Sequence, residues 1–257
     1  MSTNDAANSQ HLQELEDENK ELKSTIAGLQ RFIRQTMGSY VTPEVANEIL
    51  AQDGTIGIDG ERRVVTMLFT DLRDSTALSE QMAASDYIRL LNHYFWEMIR
   101  IINSWQGNIL DFVGDAIVVV FGAPKENPDS AHDALYSAVA MQRRMTAINE
   151  WNAEQGYPAI QMGIGVHTGE AIVGTIGSEV RMKYDMIGRN VNLASRIEGF
   201  SKGGQILAST QVVEAAGDCV VEREEGAMWV SPKGIAGDVL VHDVIGINQL
   251  RIPEWWD

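Results

Sequence analysis

"NILDFVGDAIVVVFGAP", residues 108–124, sets two aspartates four apart, Asp111 and Asp115, against a strongly apolar run. A carboxylate among apolar side chains is costly unless a partner offsets its charge. Two readings are open from this stretch alone. In one, Val113-Gly114-Asp115 is a hairpin tip whose aspartate sits in water. In the other, Gly114 lets the backbone approach closely and Asp115 opens an apolar strand opposite a compensating group. The rest of the chain decides between them.

Composition bounds what that group can be. A chain of 257 residues, 44% hydrophobic, holds a real core and has room for one large domain with an appendage, or for two small domains. The formal net charge of −16 argues against nucleic acid or an anionic membrane as partner, because like charges repel. An anionic substrate binds such a protein only where metal ions or local cations reverse the field. The single cysteine, Cys219, excludes an internal disulfide framework and a cysteine-ligated zinc site, and suits a reducing compartment. No uncharged apolar run reaches the length needed to span a bilayer, and the N-terminus lacks the apolar core of a signal peptide. The chain reads as soluble and cytoplasmic, with no membrane span.

Along the chain, residues 1–10 are small and polar and read as a disordered tail. Leu12, Leu15, Asn19, Leu22, Ile26, Leu29 and Ile33 then alternate three and four apart. With Leu12, Asn19, Ile26 and Ile33 at heptad position a, the leucines between them fall at d. That pattern predicts a parallel two-stranded coiled coil over 11–36, its register fixed by the asparagine. A lone amphipathic helix packed on its own domain is the plainer alternative. Residues 37–60 read as a helix and linker, with Thr42 as cap and Pro43 in the first turn. Beyond them come a strand at 64–69, a helix carrying Tyr87, Leu90, Leu91, Tyr94, Phe95, Met98, Ile101 and Ile102, and strands on either side of Val113-Gly114. A second helix carries Leu135, Ala138, Met141, Met145 and Ile148, its methionines read as core filler. Strands at 161–166 and 171–174, a helix from about 191 to 199 and a strand-rich end complete the order. This order predicts an α+β fold of the ferredoxin-like βαββαβ type with extra strands, preceded by the helical coil.

Three stretches carry chemistry. In "LFTDLRDST", residues 68–76, Asp71 stands where an apolar strand gives way to a polar turn and a helix. The turn formed by Arg73, Asp74, Ser75 and Thr76 offers backbone N–H groups to phosphate oxygens, and a carboxylate beside it suits a divalent ion that bridges them. If the two strands are neighbours, Asp71 and Asp115 meet at one edge, and paired hard oxygen ligands suit Mg²⁺ or Mn²⁺. Taken singly, each acid is an ordinary cap or turn residue. In "YDMIGRNVNLASR", residues 184–196, Asn192 and Arg196 lie four apart and share one helix face. An amide and a guanidinium so placed grip a phosphoryl group, although a capped helix with a surface arginine has the same spelling. His167 in "VHTGE" reads as a packed or hydrogen-bonded side chain beside a strand turn rather than a general base.

"ERRVVTMLFTDLRDSTALSE", "GDAIVVVFGAP", "GIGVHTGEAIVG" and "KYDMIGRNVNLASRIEG" together resemble the class III nucleotidyl cyclase catalytic domain, in order and in separation. The resemblance covers about residues 61–247, leaves 248–257 as a C-terminal tail, and likens "RQTMGSYVTPEVANEIL" to the helical transducer often found before that domain. It implies Asp71 and Asp115, with the Leu72 carbonyl, as ligands of two divalent metal ions, Mg²⁺ or Mn²⁺. It implies Asn192 as the residue that orients the ribose, Arg196 as the one that stabilises the pentavalent phosphorus, and Lys233 in "SPKGIAG" as a partner of the terminal phosphates. It further implies a head-to-tail homodimer with shared sites, a nucleoside triphosphate substrate, and an upstream sensor module acting through the coil.

By the same resemblance Asp111 and Asp185 read the base. Adenylyl cyclases carry lysine three residues before Gly114 and guanylyl cyclases carry glutamate; Asp111 is a shorter carboxylate. Asp185 matches the adenylyl aspartate. An ionised carboxylate only accepts hydrogen bonds, so Asp111 favours the N1–H and N2–H₂ donors of guanine. The expectation is a cyclase that converts GTP to cGMP and pyrophosphate. An adenylate cyclase, or a catalytically silent cyclase-like dimerisation module, is the alternative. A diguanylate-forming relative is set aside, because "DFVGDA" lacks the loop that chemistry uses.

Overall fold

The computed structural model describes residues 13, 15, 18–28, 60–178, 181–235 and 237–251. The chain divides into two units, Met1–Thr55 and Ile56–Asp257. In the first, residues 18–28 form helix α1, on which Leu22 and Ile26 are 55% and 49% exposed. An apolar seam left open in a single chain is what a second helix would cover. Leu12, Leu29 and Ile33 of the heptad pattern, the helix expected near Pro43 and the tails 1–10 and 252–257 lie outside the described residues.

The second unit is built on β1 (Gly60–Leu72), which is buried on both faces. Side chains alternate across a strand. Leu68 and Leu72 therefore join the core under the helices, while Val65 and Met67 join a second apolar cluster on the opposite face. Helices α2 (Ser75–Gln81) and α3 (Ala84–Ser104) follow, then the hairpin β2 (Asn108–Val113) and β3 (Ala116–Phe121) and helix α4 (Ser130–Glu154). Strand β4 (Met162–Ser178) turns back into β5 (Arg181–Ile187), which leads to α5 (Arg189–Glu198). Strand β6 (Ile206–Ser209), helix α6 (Thr210–Ala216), and β7 (Val220–Val230), β8 (Val239–Ile247) and β9 (Leu250–Arg251) complete the unit.

The sheet runs β2-β3-β1-β4-β6-β8-β7, with β5 paired to β4 and β9 to β8. Its first four strands are antiparallel neighbours in the order of a βαββαβ unit. Helices α3 and α4 cover one face. Leu90, Tyr94, Met98 and Ile102, four apart on α3, are fully buried, as are Leu135, Ala138, Met141, Met145 and Ile148 on α4. Both methionines are core, as their helical spacing indicates. The fold is mixed α+β, as the element order predicts.

Two expectations change. The strands expected at 161–166 and 171–174 are one strand, β4. Residues 167–169 stay in ladder with β1, Met67 opposite His167 and Val65 opposite Gly169, so the glycine read as a break is an ordinary ladder position. Asp115 does not open β3 but occupies the two-residue turn between Val113 and Ala116, where Gly114 adopts φ +66°. A glycine with positive φ at the first turn position matches the twist of the flanking strands.

Candidate active site

Asp71 lies near the end of β1 and Asp115 in the β2–β3 turn. Register brings them together, since Thr70 pairs with Ile117 two residues after Asp115. The Leu72 backbone N–H donates to Asp115 Oδ2 at 3.0 Å, which turns that carboxylate back from the hairpin tip towards β1. The open question posed by Asp115 is thus resolved: the residue is in a turn, but a backbone donor holds its side chain. Burial and the neighbouring Asp115 charge push the Asp71 carboxyl above its ordinary range, and Arg73 pulls it back only in part. Tyr87 on α3 faces the same pair, and its hydroxyl is pushed up by burial and by both aspartates.

Two like charges held together with incomplete compensation are the donor set of a divalent cation site. Among the described residues no group of three or more His, Cys, Asp or Glu side chains is placed to hold a metal. The two carboxylates are what these residues would offer such an ion, and the Leu72 carbonyl, water and phosphate oxygens would have to complete its shell. This sparse set fits Mg²⁺, which keeps waters and binds through one or two carboxylates plus phosphate.

Arg73 is placed differently from its companions in the expected phosphate turn. Its backbone N–H donates to Gln161 O at 2.8 Å and is therefore committed. Its guanidinium bonds the Glu198 carboxylate, donates to Ser201 Oγ at 2.9 Å and to Glu198 O at 3.3 Å, and reaches Asp71 Oδ2 at 3.5 Å. A side chain at Gly163 would fill the space Arg73 occupies, and one at Gly165 would strike the Glu198 backbone. These glycines let α5 end against β4. Burial pushes the Glu198 carboxyl up to about 7, opposed by Arg73 and reinforced by Asp71 and Asp115. Arg73 is thus a strut between β1 and α5, its backbone N–H and guanidinium both engaged within the chain. Asp74, in the left-handed region at φ 58°, caps α2 without a side-chain hydrogen bond.

The second group of residues lies on β5, α5 and the loop before β8. Gly188, at φ 145° where glycine is favoured, precedes α5, and Asn190 folds back on β4. Asn190 Nδ2 donates to Glu170 O at 2.8 Å, so its Oδ1 faces His167 Nε2 at 3.2 Å. The other ring nitrogen of His167 meets Ser209 Oγ at 2.8 Å. His167 is buried in mid-strand rather than beside a turn, and burial holds its pKa below the usual range. A neutral imidazole thus pins the first turn of α5. On the same helix Asn192 is exposed and Arg196 half-buried. A methyl group at Gly234 would stand 3.6 Å from Arg196 Nη2, which places the exposed Lys233 loop beside that guanidinium. Among the described residues no hydrogen bond or ion pair joins Asp71 or Asp115 to Asn192, Arg196 or Lys233. Arg73 is the link between the two groups, through Asp71 on one side and Glu198 of α5 on the other.

Asp111 and Asp185 are brought together from β2 and β5, and the residue that joins them is one the motif reading passed over. Lys183 Nζ lies 2.7 Å from Asp111 Oδ2 and 3.1 Å from Asp185 Oδ2. Its spacing of two from Asp185, which puts both on one face of a strand, is the signal that could have found it. A β-bulge between Ile109 and Asp111 leaves Leu110 unpaired and sets Asp111 opposite Val118. Leu110 and Val118 both pack on the second apolar cluster, so the extra residue keeps Asp111 on that face, away from the helices.

A carboxylate pair, an amide–guanidinium helix and a polar row at a strand edge, set on an α+β sheet, are the kinds of groups phosphoryl transfer uses. Residues 60–237 match the family described as "Adenylate and Guanylate cyclase catalytic domain", and the chain belongs to that family. The guanylyl cyclase Cya2 superposes with TM-score 0.73 at 41% identity, over 76% of this chain and 99% of that one. The adenylyl cyclase CyaB from P. aeruginosa superposes with TM-score 0.71 at 33% identity, over 75% of this chain and 98% of that one. In sequence, "Adenylate cyclase 1" of Rhizobium meliloti (strain 1021) is 31% identical over 229 residues, 87% of this chain and 34% of that protein. The chain spans about a third of the length of the curated relatives it matches. No described helix is long and apolar enough to cross a membrane.

Proposed function

We propose that this chain acts as a homodimeric class III nucleotidyl cyclase, converting a purine nucleoside triphosphate to its 3′,5′-cyclic monophosphate and pyrophosphate. The observation that carries the reading is the family match over residues 60–237, supported by an acidic pair at Asp71 and Asp115 that makes no polar contact with Asn192, Arg196 or Lys233 among the described residues. A head-to-tail pair would bring Asp71 and Asp115 of each protomer to Asn192, Arg196 and Lys233 of the other. Phe112 and Val113, 43% and 61% exposed beside the Asp115 turn, offer apolar surface for such a contact.

In the reaction the ribose 3′-oxygen attacks the α-phosphorus, the bond to the β-phosphate oxygen breaks, and pyrophosphate leaves. Asp71, Asp115 and the Leu72 carbonyl would hold two divalent ions, Mg²⁺ or Mn²⁺, which supply acidification of the 3′-hydroxyl and charge neutralisation on the triphosphate. Asn192 orients the ribose. Arg196 meets the charge that builds on the equatorial oxygens in the transition state. Lys233 and the backbone of Asp74, Ser75 and Thr76 hold the outer phosphates. The open apolar seam of α1 pairs two chains in parallel over 11–36 and sustains the dimer, with an upstream sensor as the module it would obey. The proposed compartment is the cytoplasm.

Mixing tests the shared sites. Asp71→Ala and Arg196→Ala are each inactive, and a heterodimer of the two has one intact site and one doubly damaged site. Random exchange should therefore restore roughly a quarter of wild-type turnover. Verified heterodimers as inactive as their parents would place both half-sites of one chain in a single site.

A further inference from the structure

The Arg73 guanidinium is stretched between two acids that belong to different parts of the fold. Its Nη1 reaches Asp71 Oδ2 at 3.5 Å, a long ion pair, while its Nη2 bonds the Glu198 carboxylate. Nη2 also donates to the Glu198 carbonyl at 3.3 Å and to Ser201 Oγ at 2.9 Å, so the cation sits at the C-terminal end of α5. A positive charge there satisfies the last carbonyls and suits the helix dipole. The path between the two ends is built into the ladder. Gly163 pairs with Asp71 across β4 and β1, and a Cβ on it would occupy the place of the guanidinium. Among the described residues, Arg73 Nε is buried without a hydrogen-bond partner. An unpaired buried donor costs stability, so the guanidinium is held by its two ends rather than by a fully satisfied seat.

The two ends compete for one charge. Burial and Asp115 push the Asp71 carboxyl up, and Arg73 counters them only in part. A divalent ion on Asp71 and Asp115 brings more positive charge, at shorter range, than a guanidinium at 3.5 Å supplies. Such an ion displaces Arg73 from Asp71. The released guanidinium keeps its bonds to Glu198 and Ser201, which are the shorter ones. The aspartate pair also acts on Glu198 directly, since both charges oppose ionisation of its carboxyl. Neutralising them strengthens the Glu198–Arg73 pair further. We propose that Arg73 is a positioning residue that couples the acidic pair to α5, giving up Asp71 for a firmer hold on Glu198 when a divalent ion arrives. The helix it tightens carries Asn192 and Arg196. On the cyclase reading above, on which this rests, α5 serves the other site of the dimer, so an ion bound at one site firms the phosphate-gripping helix of the next.

The test measures Mn²⁺ binding to the whole chain by electron paramagnetic resonance, beside hydrogen exchange of the α5 amides and turnover of ATP and GTP. Arg73→Gln removes a cation that competes with the metal, so Mn²⁺ should bind roughly three- to fivefold more tightly. Turnover should nevertheless fall roughly tenfold, because α5 loses its seat. Damage that merely loosened the fold would weaken both. Glu198→Gln should act on the metal with the opposite sign, because Arg73, freed from one acid, turns to Asp71. The double variant should bind Mn²⁺ much as Arg73→Gln does, since Glu198 acts through the arginine. In wild type, Mn²⁺ should slow exchange at the C-terminal turn of α5, and in Arg73→Gln it should not. Unchanged Mn²⁺ affinity in both single variants, or α5 exchange that Mn²⁺ leaves unmoved in wild type, overturns the coupling whatever the turnover. Coupling without cyclic product from either nucleotide keeps the Arg73 assignment and sinks the cyclase reading. A wild type that binds no Mn²⁺ overturns both.

Discussion

The two half-sites are held in opposite ways. Around Asp71 and Asp115, like charges are kept together by one backbone donor and one arginine strut, which leaves a local excess of negative charge. Around Lys183 two carboxylates share one ammonium, and around His167 each ring nitrogen has a neutral partner. The first region holds charge that the chain itself compensates only in part. In the second, every carboxylate and ring nitrogen named has a partner within the chain. One region stores repulsion, while the other spends its polar groups on one another.

Neutralising the first region gives the sharpest break of that contrast. Asp71→Asn should cost turnover on the order of 10³-fold while raising the melting temperature of the metal-free protein, because repulsion with Asp115 disappears. Mn²⁺ should raise the melting temperature of wild type and leave the variant unmoved. A variant less stable than wild type without metal would show that no repulsion is stored there.

His167→Gln probes the second region with a smaller effect. Loosening the first turn of α5 should lower kcat roughly tenfold with little change in KM, since Asn192 and Arg196 are misplaced by a fraction of an ångström. The pH response has a defined sign. Burial depresses the folded pKa of His167 below its ordinary 6.5, so its contribution to stability is complete above 6.5 and declines as pH falls through the folded value. Wild type should lose melting temperature more steeply than the glutamine variant below pH 6.5. Parallel curves would remove His167 from that role.

The smallest effect belongs outside both half-sites. Leu15→Asp with Leu22→Asp should leave turnover unchanged at micromolar protein and reduce specific activity on dilution to nanomolar, since paired helices supply effective concentration. Full activity at nanomolar protein in that variant would make the seam dispensable.

Local pattern carried a large part of this structure. Residues four apart on α3 and α4 predicted their own burial, and Asp71 and Asp115 announced themselves as acids at the margins of apolar runs. Long-range geometry was not legible. The Arg73 strut spans from β1 to Glu198, so its spelling beside Ser75 and Thr76 looks like part of a phosphate turn. Gly169 reads as punctuation until the Val65 ladder opposite it is known. Lys183 escaped notice because its value lies in a strand distant in sequence, and no spacing rule links it to Asp111.

The bulge at Leu110 has a consequence for how such a pocket changes over generations. Upstream of it Ile109 keeps step with the helix-side core, and downstream Asp111 keeps step with the pocket. Loss of Leu110 would restore simple alternation with Asp111 still facing Val118, trading a little apolar packing for a regular strand. Gain of one more residue there would turn Asp111 over to the helices. The strand therefore tolerates length change in one direction only, and in that direction Asp111 stays beside Val118 while Asp115 stays anchored to β1.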